Sequence, residues 1–315
     1  MPLICNITNK PLILFLSVFS FITITLGTAH ATPVQVTDSR GKHTLTAKPV
    51  RPVVLSWDTL EQVIELGITP VGAPDLESYS EWVVQPAIPR TTKSVGTRSE
   101  PNLEKIASLN PDIIITSQIH REILPRLEQI APVLIYSNFS AGHQHANVAI
   151  EQFSELAKVF GKEEYAQQKL TRMSNTFQAL RKKITSAFPT QTPEVVAMRF
   201  ADTTSAFLYT ENSTVQYVLE QLGLKTAIPQ PTAKWGIIQK PLSELQYVTD
   251  GYVLYLLPFA EEKTLQKSIL WRAMPFVRSG HVNSVRSVWS YGGAMSLMYT
   301  AEAITESLLK LGPQS

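Results

Sequence analysis

The chain has 315 residues with 28 Lys and Arg against 26 Asp and Glu, and this net charge of +2 gives no reason to expect nucleic acid or another acidic polymer as partner. Only 17% of residues are charged and 44% are hydrophobic, which supplies a buried core and excludes intrinsic disorder. One large domain or two medium ones fit this length.

Lys10 precedes an uncharged apolar run from Pro11 to Gly27, and Ala29-His30-Ala31 follows. A positive start, an apolar stretch and small residues at −3 and −1 form the pattern of a secretory signal cut after Ala31. An uncleaved anchor is the alternative, because the run is at the short limit of what spans a bilayer. Cys5, the chain's single cysteine, precedes the apolar run and is not placed as a lipid acceptor. Residues 32–315 therefore carry no thiol, and an exported product has to rest on its core without disulfides.

Beyond the signal, Pro52 to Ser56 reads as a buried strand running into TLEQVIELG, where Leu60, Val63, Ile64 and Leu66 share one helical face and Gly67 supplies a left-handed stop. A short strand around 68–72 follows, then a helix opened by Pro101, a strand at 112–116, a helix over about 121–130 and a strand at 133–136. Such alternation predicts a mainly parallel sheet covered by helices. From about Ala146 to Ala187 the pattern turns helical and charged, broken near Gly161. Strand and helix signals resume at 195–200, 215–222, 253–257 and 294–311. LEKIASLNPDIIIT (103–116) and LSELQYVTDGYVLY (242–255) echo each other as short helix, tight turn and apolar strand. The expected organisation is a signal at 1–31, an α/β lobe at 32–160, a connecting helix at 161–188 and a second α/β lobe at 189–315. A cleft between two such lobes is a favoured place for a ligand.

The chain contains no GxSxG elbow, no phosphate-cradling GxxxxGK[ST], no GxGxxG after its first strand and no HExxH. No local spacing suggests an enzyme. His143 and His145 form an HQH pair, and His43, His120 and His281 are scattered. Two loop imidazoles can hold zinc or manganese with distant carboxylates, or they can be solvated loop residues. Aromatic residues are more distinctive. Trp57, Trp82, Trp235 and Trp289 fall at predicted strand ends or in loops, with Tyr79 and Tyr291 nearby, whereas Trp271 sits on an apolar helical stretch. Such rings can line an amphipathic cleft or plug the lobe cores. Arg98, just before the Pro101 helix, can offer a guanidinium fork to a ligand oxygen or pair with Glu100.

The blocks SVGTRSEPNLEKI, LWRAMPFVRSGHVNSV and VWSYGGAMSLM resemble those of the siderophore, haem and cobalamin class of ABC-transporter binding proteins, and within it the periplasmic ferric-hydroxamate (ferrichrome) binders. The resemblance runs from about Arg51 to the C-terminus. It implies two Rossmann-like α/β lobes joined by one long rigid helix, a shallow cleft, small closure, a periplasmic location and a monomer. It also implies capture of a ferric hydroxamate siderophore for an inner-membrane ABC permease, with iron arriving as part of the ligand and no cofactor or protein metal ligand. By position it assigns the ligand contacts to Arg98, Trp235, His120, Trp57, Trp82, Trp289 and Tyr291, and permease docking to Glu104 and Glu244. At His120 the family pattern has a tyrosine, and Thr116 and Ile228 also stand at aromatic positions, so the cleft is expected to be less aromatic. Ferric citrate, a catecholate or cobalamin is the alternative cargo; a histidine-based metal site or an enzyme is the alternative class.

Overall fold

A computed structural model of the chain describes residues 1–3 and 33–312, so the expected secretory signal lies almost wholly outside the described residues. An antiparallel hairpin of β1 (Val34–Asp38) and β2 (Gly41–Leu45) comes first. Then follow β3 (Pro52–Val54), α1 (Trp57–Glu65), β4 (Gly72–Ala73), α2 (Leu76–Trp82), β5 (Lys93–Ser94), α3 (Leu103–Ser108), β6 (Ile113–Thr116), α4 (Leu124–Glu128) and β7 (Val133–Ile135). Strands β3 to β7 form one sheet in the order β5-β4-β3-β6-β7, with all neighbours parallel. The apolar run Ile113-Ile114-Ile115 needs two covered faces: Ile113 and Ile115 join Val54 in one core cluster, while Ile114 joins Val53 and Leu55 in another.

Helix α5 (His145–Phe160) stops at Gly161, whose φ of 61° a side chain would resist, and α6 (Glu163–Ala187) starts two residues later. At 1.5 Å per residue α6 runs about 37 Å. It buries Ala166, Met173, Phe177, Leu180 and Ile184, a stripe at helical spacing, and leaves its charged faces outside.

The second half contains β8 (Glu194–Phe200), β9 (Ser205–Tyr209), α7 (Thr214–Gln221), β10 (Lys225–Thr226), β11 (Ile237–Pro241), β12 (Tyr252–Leu256), three short helices α8 (Glu262–Lys267), α9 (Ile269–Ala273) and α10 (Pro275–Arg278), β13 (Val282–Val285) and α11 (Ala294–Leu309). Its sheet runs β11-β9-β8-β12-β13, with β10 beside the start of β8. Strands β8, β12 and β13 are parallel, as expected, but β9 and β11 are antiparallel. The reversal at Ala201–Thr204 is held by Asp202, whose carboxylate accepts the backbone N–H groups of Thr204 and Ser205, a turn signature the strand reading passed over. The internal echo is real: α3 leads into β6 as a 3-10 turn at Leu242–Tyr247 leads into β12. Trp271 is buried against Phe200 and Phe276 in the second sheet's own core.

One buried acid joins the two halves. Helix α11 begins at Gly293, which has no side chain to cap it, and the Glu61 carboxylate of α1 supplies the cap from across the molecule. It accepts the Gly293 N–H and, at 2.7 Å, the Ser296 hydroxyl. The approach requires glycine, since a Cβ on Gly293 would collide with the Gln62 side chain and one on Gly292 would meet the Glu61 Oε2 at 2.7 Å. One turn along α1, Glu65 accepts the Tyr299 hydroxyl of α11 at 2.5 Å and the Lys169 ammonium of α6 at 2.6 Å.

Burial holds the Glu61 carboxyl well above its ordinary range, against the pull of its two donors. With a raised folded-state pKa, the native chain keeps a proton that the unfolded chain loses as pH climbs past the carboxylate range, so this group's stabilisation is complete at low pH and declines as pH rises. Glu61→Gln cannot titrate, and urea unfolding at a series of pH values is expected to show a flatter stability profile than wild type between pH 5 and 8. Parallel profiles would mean that Glu61 is ionised throughout.

Candidate ligand-binding site

In a parallel sheet the loops leaving the carboxyl ends of the strands make the crevice. The structure obeys that rule: a cavity of about 520 Å³ is lined by Ser56, Trp57 and Asp58 after β3, Arg98 after β5, Ser117 to Ile119 after β6 and Tyr136 to Phe139 after β7. The second half closes it with Lys234 and Trp235 before β11 and with Trp289 and Tyr291 after β13.

The rings touch in a chain. Trp57 meets Trp289 edge-on at 5.2 Å, Trp289 meets Tyr291 at 5.4 Å, Tyr291 meets Phe139 at 5.6 Å, and Phe139 lies 5.6 Å from Trp235. Trp57 is fixed from behind by its indole N–H, donated to the Pro74 carbonyl at 3.3 Å, and by the edge of Tyr79 at 5.8 Å. Trp235 is 47% exposed, so this ring projects from the rim and contributes little to the core.

Arg98 is the central cation. Its guanidinium carbon sits 3.5 Å from the Trp57 ring centroid and 6.0 Å from that of Trp289, and its Nε is 3.4 Å from the Asp75 carboxylate. Contact at that distance over a tryptophan face is worth about 0.5–2 kcal/mol and aims the guanidinium fork. Asp75, in a left-handed conformation before α2, also accepts the Arg98 backbone N–H at 2.8 Å. Burial pulls the Arg98 pKa down from its usual value, opposed by the charges of Asp75 and Asp58, and the group stays cationic. Asp58 is pushed up to about 6, again by burial.

Several polar atoms in this wall have no protein partner among the described residues: the Ser56 hydroxyl, the Tyr136 hydroxyl, the Asn138 Oδ1 and the Arg98 Nε, whose approach to Asp75 is too oblique for a hydrogen bond. Burial raises the Tyr136 pKa, so its phenol remains a donor. Unpaired buried groups are costly, and a ligand carrying oxygens would relieve that cost for the three donors, Ser56, Tyr136 and Arg98.

Of the sequence-predicted ligand contacts, Arg98, Trp57, Trp235, Trp289 and Tyr291 line this cavity. His120 and Trp82 do not. His120 is buried at 3% exposure in the 3-10 turn after β6; its Nδ1 is 2.6 Å from the Thr116 hydroxyl and its Nε2 is 2.6 Å from the Arg98 carbonyl. It faces the back of the Arg98 loop, and burial lowers its pKa, so it braces the backbone as a neutral ring and adds no charge to the cleft. Trp82 ends α2 and packs at the edge of the core, with the Arg199 guanidinium 5.8 Å from its ring. Ile228 packs on the second sheet's core.

The HQH histidines brace a loop. The His143 Nδ1 is 2.6 Å from the Asn138 carbonyl, and the His145 Nε2 is 3.0 Å from that of Ser140 and 3.2 Å from the Asn212 amide. Glu104 in the first turn of α3 and Glu244 in the 242–247 turn are both exposed, one residue apart in the register of the internal echo. Phe139, Tyr136, Asn138, Asp58 and Lys234 escaped the sequence reading. Phe139, Tyr136 and Asn138 were within reach, because Tyr136 ends the predicted strand 133–136 and the other two lie just after it.

Relatives agree with this architecture. The chain is 28% identical over 273 residues to the iron(3+)-hydroxamate-binding protein FhuD of Escherichia coli, covering 84% of this chain and 89% of that protein. It is 31% identical to the Fe(3+)-citrate-binding protein YfmC of Bacillus subtilis, covering 80% and 78%. Among solved structures, the siderophore-binding protein FhuD of Vibrio cholerae bound to Fe3+-Desferal superposes with a TM-score of 0.83 at 62% identity, over 84% of this chain and 99% of that one. The sequence model of the periplasmic binding protein family matches residues 53–288, and with the helix-linked sheets and the strand-end cleft described above, the chain belongs to that family.

Proposed function

We propose that this protein captures a ferric hydroxamate siderophore in the cavity between its two sheets and delivers it to an inner-membrane ABC permease. The observation that carries this reading is the Arg98 guanidinium held 3.5 Å over the Trp57 ring in a ring-lined cavity, in a chain 62% identical to a protein crystallised with Fe3+-Desferal. A ferric trihydroxamate has its iron fully ligated. The binder therefore needs no metal ligands, only a cation for the hydroxamate oxygens, whose charge the iron partly withdraws, and apolar walls for the linking chains. Arg98 serves as that cation. Trp57, Trp289, Tyr291, Phe139 and Trp235 serve as walls, with the Tyr136 and Ser56 hydroxyls as further donors. His120 acts behind Arg98, and Trp82 lies at the margin.

In the same reading the chain is exported to the periplasm by its N-terminal signal, works as a monomer and catalyses no reaction. Residues 32–160 and 189–315 are the two lobes, and 161–188 connects them. Glu104 and Glu244, one on each lobe, present carboxylates to basic residues of the permease. A titration by tryptophan fluorescence with ferrichrome, ferrioxamine, ferric citrate, cobalamin and free Zn2+ tests the reading: the hydroxamates should quench most strongly and bind most tightly. Preference for ferric citrate or for bare metal would replace it.

Two variants probe the site itself. Arg98→Ala should weaken ferric hydroxamate binding by about 1.5–3 kcal/mol, the scale of a charge-assisted hydrogen bond, with Arg98→Lys recovering only part because lysine lacks the planar fork. Calorimetric titration checks both. Trp235→Ala should cost about 1–3 kcal/mol of affinity as a lost aromatic anchor, and its 47% exposure predicts an almost unchanged melting temperature. A large fall in melting temperature with intact affinity would make Trp235 part of the core.

A further inference from the structure

Behind the aromatic wall, one buried carboxamide joins the two loops that carry its outer rings. Phe139 lies in the loop between β7 and α5, and Trp235 lies near the end of an irregular stretch, 227–236, between β10 and β11. Asn212, in the turn between β9 and α7, is 1% exposed and is not among the residues lining the cavity. Its Oδ1 accepts the Ala233 N–H at 3.1 Å and the Thr210 hydroxyl at 2.7 Å, while its Nδ2 donates to the Ala233 carbonyl at 3.0 Å. One side chain thus satisfies both backbone groups of the residue two before Trp235, as a neighbouring strand would. The same Nδ2 reaches the carbonyls of His143 at 3.1 Å and, more loosely, of Ser140 at 3.3 Å, in the loop that follows Phe139. The bend after Trp235 is fitted to this hub: Gly236 has a φ of 67°, and a Cβ there would press on His145 Nδ1 and Ser213 Cβ, each at 3.0 Å.

A ring that is 47% exposed has little packing of its own to hold it. Trp235 nevertheless lies 5.6 Å from Phe139 with the ring planes 34° apart, so the two rings make one surface across both halves of the molecule. Carbonyls from both loops share the two amide hydrogens of Asn212, which sets the spacing of those loops from behind. We infer that Asn212 is a positioning residue of the binding site, one that presets Trp235 against Phe139 before cargo arrives. The identity of the cargo rests on the siderophore reading above, whereas the presetting is a property of the free protein. A ring already in place meets its ligand without first giving up loop and rotamer freedom, so more of the contact is left as affinity.

Near-UV circular dichroism of the free protein reads the presetting, because the difference between a protein and its Trp235→Ala partner isolates the signal of that indole. The difference is expected to be strong in the wild-type background and to vanish largely in the Asn212→Ala background. In calorimetric titration, Asn212→Ala should weaken ferrioxamine B binding about fivefold, and by less than about twofold where Trp235 is already alanine, the non-additivity of residues that act through one another. A Trp235 signal that persists in Asn212→Ala, or an affinity loss of equal size in both backgrounds, overturns the inference and makes Asn212 a scaffold residue. Thr210→Val removes only the hydroxyl that orients the carboxamide, so it carries both readouts, with smaller changes, should Asn212→Ala fold poorly. If ferrioxamine B does not bind the wild-type protein, the siderophore reading fails, and the dichroism alone decides the presetting.

Discussion

Two glycines and a buried glutamate set the geometry on which the cleft depends. Because Gly293 has no side chain, α11 cannot cap itself, and because Gly292 and Gly293 leave room, the Glu61 carboxylate can reach their backbone from α1. The tie therefore joins the helix that begins with Trp57 to the loop that carries Trp289 and Tyr291. Those aromatic contacts are consequences of that buried bond more than causes of it. Edge-on ring pairs contribute about 0.5–1.5 kcal/mol each, whereas an unmet buried carboxylate or helix-end N–H costs as much or more. Glu65 extends the tie to the connecting helix through Lys169, so both sheets and the linker meet on one face of α1.

Above Trp57 the arrangement of Arg98 follows a layered logic. The Trp57 ring supports the guanidinium, Asp75 holds both the backbone and the side chain of the same residue, and His120 fixes its carbonyl from beneath. A long flexible side chain normally loses rotamer freedom when it meets a ligand. Here much of that ordering is already present in the folded chain, which leaves more of the contact energy for the ligand.

The sequence makes the frame legible because strands buried on two faces have to be continuous apolar runs and amphipathic helices have to repeat every three to four residues. The run 113–116 and the stripe along 163–187 leave little choice. The end of the strand at 52–56 was equally readable and sets Trp57 at the crevice, whereas Arg98, Trp289 and Tyr291 follow β5 and β13, strands too short to stand out, and were assigned to the crevice only through the resemblance. What could not be read is which way a residue points once the chain turns. His120 and Ile119 are adjacent in one 3-10 turn, yet the imidazole goes under the Arg98 loop and the isoleucine lies 60% exposed at the cleft. The difference is set by the hydroxyl of Thr116 and the Arg98 carbonyl, both distant from any local pattern. Trp82 likewise falls on the side of α2 that meets the core and Arg199. The antiparallel β9 and β11 were missed for a related reason: their alternation is short, and the turn that pairs them is made by the Asp202 side chain.

The single 25-residue helix between the sheets also has a kinetic meaning. A connector that is helical along its whole length has no slack to reel in, and α11 packs along it while being tied to α1. A helical connector resists a change in its own length, so association should proceed near the ordinary rate for docking on a preformed surface. Differences in grip between related cargoes then have to appear as differences in residence time. For a shuttle this divides the labour: loading is left to diffusion, and unloading has to come from whatever pries the rings apart at the far end of the journey.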